Sequence, residues 1–74
     1  MKRVTFTAII EREGNGYVSL CPELDIASQG DTREEARRNL TEAVEGFLEV
    51  ASPSEIDSRM TSERYVESME INVA

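Results

Sequence analysis

Between residues 4 and 10 the even positions Val4, Phe6, Ala8 and Ile10 are apolar, while Thr5 and Thr7 are polar. This two-residue period marks a strand with one buried face. Ile9 breaks the alternation, which marks either a second covered face, under a partner or a neighbouring element, or, more commonly, a lone exposed isoleucine. Asn15-Gly16 follows, a pair that tolerates positive φ, and the apolar alternation on both sides predicts a hairpin with a type I′ turn. The return strand over residues 17–21 puts Val18 and Leu20 on one face and Tyr17, Ser19 and Cys21 on the other. Pro22 ends that strand because it has no N–H to donate. Residues 23–26 then carry the chain around to a short third strand over Ala27-Ser28-Gln29.

Gly30 is expected to allow the sharp reversal into a helix. Thr32, with Glu35 three residues later, fits a capping box, the hydroxyl serving the N3 amide and the carboxylate reaching back to the N-cap amide. Beyond Arg33, the residues Ala36, Leu40, Ala43, Val44, Phe47 and Leu48 form the stripe of an amphipathic helix packed on a sheet. Glu34 and Glu35 lie in its first turn, where the helix dipole favours negative charge. Gly46 costs about 1 kcal/mol relative to alanine inside such a helix; close approach of another backbone or an exposed position both account for it. Ser52-Pro53 supplies the stop. Residues 54–64 are polar, with Ile56 and Met60 suggesting at most a short helical turn. Met69, Ile71 and Val73 alternate with Glu70 and Asn72, which predicts a final strand returning beside the first. The expectation is one α+β domain over residues 1–74: a two-layer β-β-β-α-β arrangement, an antiparallel sheet with one helix on one face.

A chain of 74 residues has a thin core, because a domain of this size buries only about 60% of its unfolded surface. Small scaffolds gain stability from disulfides, metals or self-association. The single Cys21 excludes an internal disulfide, and a chain with no histidine and one cysteine is poorly equipped for structural zinc. Self-association is therefore expected. The net charge of −7 divides into −1 for residues 1–30, −3 for 31–52 and −3 for 53–74. Eight basic residues dispersed among fifteen acidic ones give no clustered cationic surface for phosphates, which argues against direct nucleic-acid binding. The acidity suits a basic protein partner, and equally serves solubility. No apolar run approaches the ~20 residues of a membrane span, and the first ten residues lead directly into strand sequence, so a cytoplasmic location is expected.

Candidate chemistry is sparse. General acid–base and nucleophilic catalysis draw mainly on histidine or on an activated cysteine or serine. Cys21 has no neighbouring Lys or Arg in sequence to stabilise a thiolate. Convergence of Glu11, Glu13, Glu23, Asp25 and Asp31 around the strand ends would suit a magnesium site, but fifteen acids in so short a chain also cluster by chance. No catalytic residue, metal or cofactor is expected. Tyr17, placed opposite Val18 and Leu20, is either exposed or covered by a partner.

The run GYVSLCPELDIASQGDTREEARRNLTEAVEGFLE resembles the HicB family of antitoxins and its solitary HicB-like relatives. The resemblance rests on Gly16-Tyr17 opening the second strand, on Pro22-Glu23-Leu24, and on Gln29-Gly30-Asp31-Thr32 with Glu35-Ala36, within a match from residue 4 to about residue 50. It implies a β-β-β-α-β fold like a truncated ribonuclease H without that enzyme's catalysis. It further implies binding to a small basic RNA-cleaving toxin of double-stranded-RNA-binding-domain shape, and assembly into dimers or tetramers. Family members often carry a C-terminal helix-turn-helix or ribbon-helix-helix. With the sequence ending at Ala74, operator binding by such a domain is not expected. The residues expected to touch a partner are Tyr17, Glu23, Leu24, Asp25, Asp31 and Glu35, at the bend and the helix start. Asn15, Gly16, Pro22, Gly30 and Thr32 are expected to shape the backbone. Two other readings are an orphan homo-oligomeric HicB-like scaffold with no toxin, and a carboxylate-dependent metal enzyme.

Overall fold

The computed structural model describes residues 3–61 and 63–74. Three strands, β1 (Ile9–Glu13), β2 (Gly16–Cys21) and β3 (Ile26–Gly30), form an antiparallel sheet in sequential order. Two helices follow, α1 (Arg33–Val50) and α2 (Pro53–Met60). The fold is α+β, with the order β-β-β-α-α in place of the expected β-β-β-α-β.

The hairpin forms where alternation predicted it, but its turn sits one residue earlier. Glu13 pairs with Gly16, so Gly14 and Asn15 are the two central residues. Gly14 has φ 61° and Asn15 is not in the positive-φ region. Positive φ at the first central residue alone belongs to the II′ class, not to the I′ turn expected from Asn15-Gly16. The regular strand is also shifted towards the turn. Residues 4–8 carry the apolar alternation but lie outside the strand, and of them Phe6 packs against the core.

Register decides which face the helix covers. Ile10 opposes Ser19, and Ser19 opposes Ser28; residues directly opposite one another share a face. The face of Ile10, Tyr17, Ser19, Cys21, Ile26 and Ser28 lies under α1, whereas Ile9, Leu20 and Ala27 share the open face. The side-chain division in β2 is the one the alternation gave, but the covered side carries Tyr17, not Val18 and Leu20. Small residues explain the choice. Ser19, 2% exposed, lets the helix approach and donates its hydroxyl to the Ala36 carbonyl at 2.8 Å.

Gly30 serves the same close approach. A Cβ there would lie 2.5 Å from the Ala36 amide nitrogen and 2.9 Å from Glu35 Cβ. The glycine is needed for packing of the helix start on β3, and not for a positive φ as the expected reversal implied. Thr32 caps α1 as predicted, accepting from the Glu35 amide at 3.0 Å. The returning Glu35 carboxylate takes the Asp31 amide at 3.0 Å, one residue before the cap. Ala36, Leu40 and Val44 are buried beneath the helix. Leu40 and Val44 join Cys21 and Leu24 in the core, with Phe6, Ile26, Phe47, Leu48 and Met60 packed around them. Gly46 is exposed, and a Cβ there would meet nothing within 4 Å.

Ser52-Pro53 does more than stop α1. Ser52 caps α2, accepting from the Glu55 amide at 3.2 Å, and Pro53 occupies the first turn, where its missing N–H costs nothing. The turn suggested by Ile56 and Met60 is thus a helix of 8 residues. The predicted final strand is not formed. Residues 63–74 are exposed and without regular structure; Met69, Ile71 and Val73 are 82%, 69% and 87% exposed. Alternation makes a segment competent for a strand, but a strand also needs a ladder partner, and here the sheet ends at β1.

Candidate protein-binding surface

The residues expected to contact a partner fall into two groups at opposite ends of β2. Tyr17, Asp31 and Glu35 lie where α1 begins, because Tyr17 pairs with Gly30. Glu23, Leu24 and Asp25 lie in the turn between β2 and β3, at the far end of a 6-residue strand, about 17 Å away. They do not form one site.

At the turn end the side chains face inward or serve the fold. Leu24 is 0% exposed and belongs to the core, which removes it from the contact residues: the bend folds its side chain under α1 and α2. Its amide donates to the Cys21 carbonyl at 3.3 Å, and its carbonyl accepts from the Arg59 guanidinium. Glu23 is half-buried and ties the N-terminal segment to the turn. The Thr7 amide donates to its two carboxylate oxygens at 3.0 and 3.1 Å, and the Thr7 hydroxyl donates to Oε2 at 2.5 Å. Partial burial pushes the Glu23 carboxyl up, but the bonds from the Thr7 hydroxyl and amide outweigh it and hold the group below its ordinary value. Cys21, 1% exposed, is pushed up, first by burial and also by the neighbouring Glu23 carboxylate, to which its thiol donates at 3.5 Å. A neutral, buried thiol is a poor nucleophile. Asp25 is exposed with φ 56°, a left-handed conformation that Asp tolerates better than most residues.

The helix-start end is open and acidic. A groove of about 620 Å³ is lined by Glu13, Tyr17, Gln29, Asp31, Glu35 and Asn39 among others, with no Lys or Arg in its wall. Tyr17, half-buried, also borders a second depression beside Arg12, Arg33 and Glu34. Glu13 and Asp31 are exposed, so their carboxylates are accessible to a partner. Glu35 has one oxygen engaged by the Asp31 amide and contributes its charge. Asn39 donates to the Gln29 carbonyl at 2.8 Å, fixing α1 against the outer strand. Among the described residues no three of the Asp, Glu and Cys side chains converge as metal ligands would. The five acids considered for magnesium are divided between the two ends of the sheet.

Three structural residues lay outside the sequence expectations. Ser19 and Asn39 hold the helix to the sheet. Arg59 joins α2 to the rest, donating to the Leu24 carbonyl, lying 5.0 Å from the Phe47 ring centroid and pairing with Glu55 at 3.5 Å. The four-residue spacing from Glu55 to Arg59 was the only sign of this in the sequence.

No helix among the described residues is long and apolar enough to cross a membrane. No protein-family model matches the chain, and no solved structure matches it. It is similar to a UPF0150 protein of Synechocystis sp., 48% identical over 46 residues, which cover 60% of this chain and 58% of that protein. It is likewise similar to a UPF0150 protein of Helicobacter pylori, 48% identical over 42 residues covering 55% of this chain and 58% of that protein. The chain thus spans somewhat less than three fifths of the length of these relatives, and its sequence is UPF0150-like over the matched region.

Proposed function

We propose that this chain is a HicB-like antitoxin module, which binds a small basic RNA-cleaving protein and occludes its active surface. The observation that carries the reading is the acidic groove at the start of α1, where Glu13, Asp31 and Glu35 lie on one side of Tyr17 with no Lys or Arg in that wall, Arg12 and Arg33 bordering the depression on its other side. An arginine from a basic partner would stack on the Tyr17 ring and place its planar donors against the Asp31 or Glu13 carboxylate. The overall charge of −7 would speed encounter with a cationic partner and repel nucleic acid. The action is steric and electrostatic; none of this chain's residues performs a chemical step.

The test is co-expression with the product of the small adjacent gene, scored by growth and by co-purification. A basic neighbour that arrests growth alone and is neutralised in a stable complex is the expected result. Glu13→Lys with Asp31→Lys should then weaken the complex at least tenfold by calorimetry while leaving the circular dichroism spectrum unchanged, since both side chains are exposed. A harmless or non-binding neighbour overturns toxin control by that protein and leaves the orphan scaffold as the reading.

A further inference from the structure

The helix α2 is the least embedded regular element of the fold. Its residues Ile56, Arg59 and Met60 are half-buried, the others are exposed, and none is fully buried. By contrast α1 buries Ala36, Leu40 and Val44. Burial ties the opening of an element to unfolding of the whole domain, so a helix that lacks it opens at lower cost. A helix of 8 residues also draws little stability from its own hydrogen bonds, since isolated helices shorter than about 12 residues are marginal in water.

The two ends of α2 are built differently. At its start Ala51 and Ser52 are both extended, with φ −74° and ψ 143° at the first and φ −70° and ψ 153° at the second. The Ala51 amide closes α1 on the Phe47 carbonyl at 2.9 Å, and the Ser52 carbonyl opens α2 by accepting from the Ile56 amide at 3.1 Å. Rotation about ψ of Ala51 and φ of Ser52 therefore swings α2 without breaking a hydrogen bond of either helix. A hinge of this kind needs only a few residues between elements.

At the far end Arg59 is the fastening. Its guanidinium donates to the Leu24 carbonyl in the turn between β2 and β3, lies 5.0 Å from the centroid of the Phe47 ring on α1, and pairs with Glu55 of its own helix at 3.5 Å. Met60 beside it packs against the outside of the core. Between hinge and fastening lies a pocket of about 550 Å³, with Ile56, Asp57 and Met60 in its α2 wall and Val4, Phe6 and Leu48 facing them. Across that space α2 forfeits the dispersion contacts that a seated helix would make.

We infer that α2 is a lid over this pocket, hinged at Ala51 and Ser52 and latched by Arg59, and that it opens as a unit while α1 and the sheet stay folded. One side chain makes both contacts to the body, so its release from the Leu24 carbonyl and the Phe47 ring unlatches the lid in a single step. Opening exposes Phe47, Leu48 and Met60 and widens the pocket; closure covers them. The latch is set by the turn between β2 and β3, because the accepting carbonyl belongs to Leu24, which is anchored in the core. The inference is independent of any toxin. The lid follows the far end of α1, a helix of 18 residues and about 27 Å, whereas the acidic groove lies at its start.

Native-state amide hydrogen exchange on the full chain, at fixed protein concentration, is the test. The amides of Ile56 and Thr61, which donate to the Ser52 and Asp57 carbonyls, report the lid, and those of Leu40 and Val44 report the body. The lid amides should be protected, but at least about a hundredfold less than the body amides. Arg59→Ala should lower lid protection by about a further tenfold, the weight of one hydrogen bond to a charged group, and leave Leu40 and Val44 unchanged. Arg59→Lys should fall between the two, because an ammonium keeps a donor but has no planar face for the ring; it serves as the second variant should Arg59→Ala fail to fold. Equal protection of lid and body amides overturns the inference, as does a lid without protection in the native chain. An arginine variant in which both sets fall together, or in which neither moves, overturns it as well.

Discussion

Leu24→Ala separates a core role from a contact role at a position where the sequence suggested contact. Leu24 is 0% exposed and packs with Cys21, Leu40 and Val44. Its two polar contacts, to the Cys21 carbonyl and from Arg59, use only its backbone. The substitution leaves those groups in place and removes the buried side chain alone. Truncating a buried leucine costs about 2–5 kcal/mol, from lost transfer energy and from the cavity left behind, and about 3 kcal/mol is expected here. A domain of this length has about 4–11 kcal/mol in total, so the loss is a large share of it. The melting temperature should fall by about 12–24 °C, at about 4–8 °C per kcal/mol for a domain of this size. The assay is urea and thermal unfolding followed by circular dichroism, with protein concentration held fixed because self-association would shift the midpoint. Asp25→Gly is the control: the neighbouring side chain is exposed and its φ of 56° suits glycine, so stability should be unchanged or slightly higher. A Leu24→Ala variant within about 0.5 kcal/mol of the native chain, as a surface change would be, would refute the assignment of Leu24 to the core.

Two glycines should respond oppositely. Gly46→Ala should stabilise by about 1 kcal/mol, since its site is open and helical, whereas Gly30→Ala should lower the urea midpoint sharply because the added Cβ meets the α1 backbone. The Glu23 clamp predicts a pH dependence. Its carboxyl is held below its ordinary value of 4.5, so its contribution is present above that value and lost as pH falls through the depressed folded value. Urea midpoints measured from about pH 6 to about pH 3 should fall on acidification, and Glu23→Gln should flatten part of that slope while costing about 1 kcal/mol at neutral pH. Ser19→Ala should cost about 1 kcal/mol by losing the buried bond to the Ala36 carbonyl, read from the same unfolding curves.

Local signals were legible wherever their cause is local. The Thr32 cap depends on a hydroxyl and an amide three residues apart, and the α1 stripe on a period of 3.6 residues, so sequence alone determined both. Alternation likewise determined the hairpin and the division of β2 side chains into two faces. Sequence could not say which face the helix would take, because that depends on how closely α1 can approach. The small Ser19 and Gly30 settle it, against the more hydrophobic Val18 and Leu20. Nor could spacing reveal that Pro22-Glu23-Leu24-Asp25 and Asp31-Glu35 lie at opposite ends of β2, since proximity along the chain does not survive a strand of that length. The same limit applies to residues 69–73. Their alternation fixes what they are able to form, but pairing is a contact between distant segments, and only the tertiary structure shows that the described residues leave the segment exposed and β1 at the edge of the sheet.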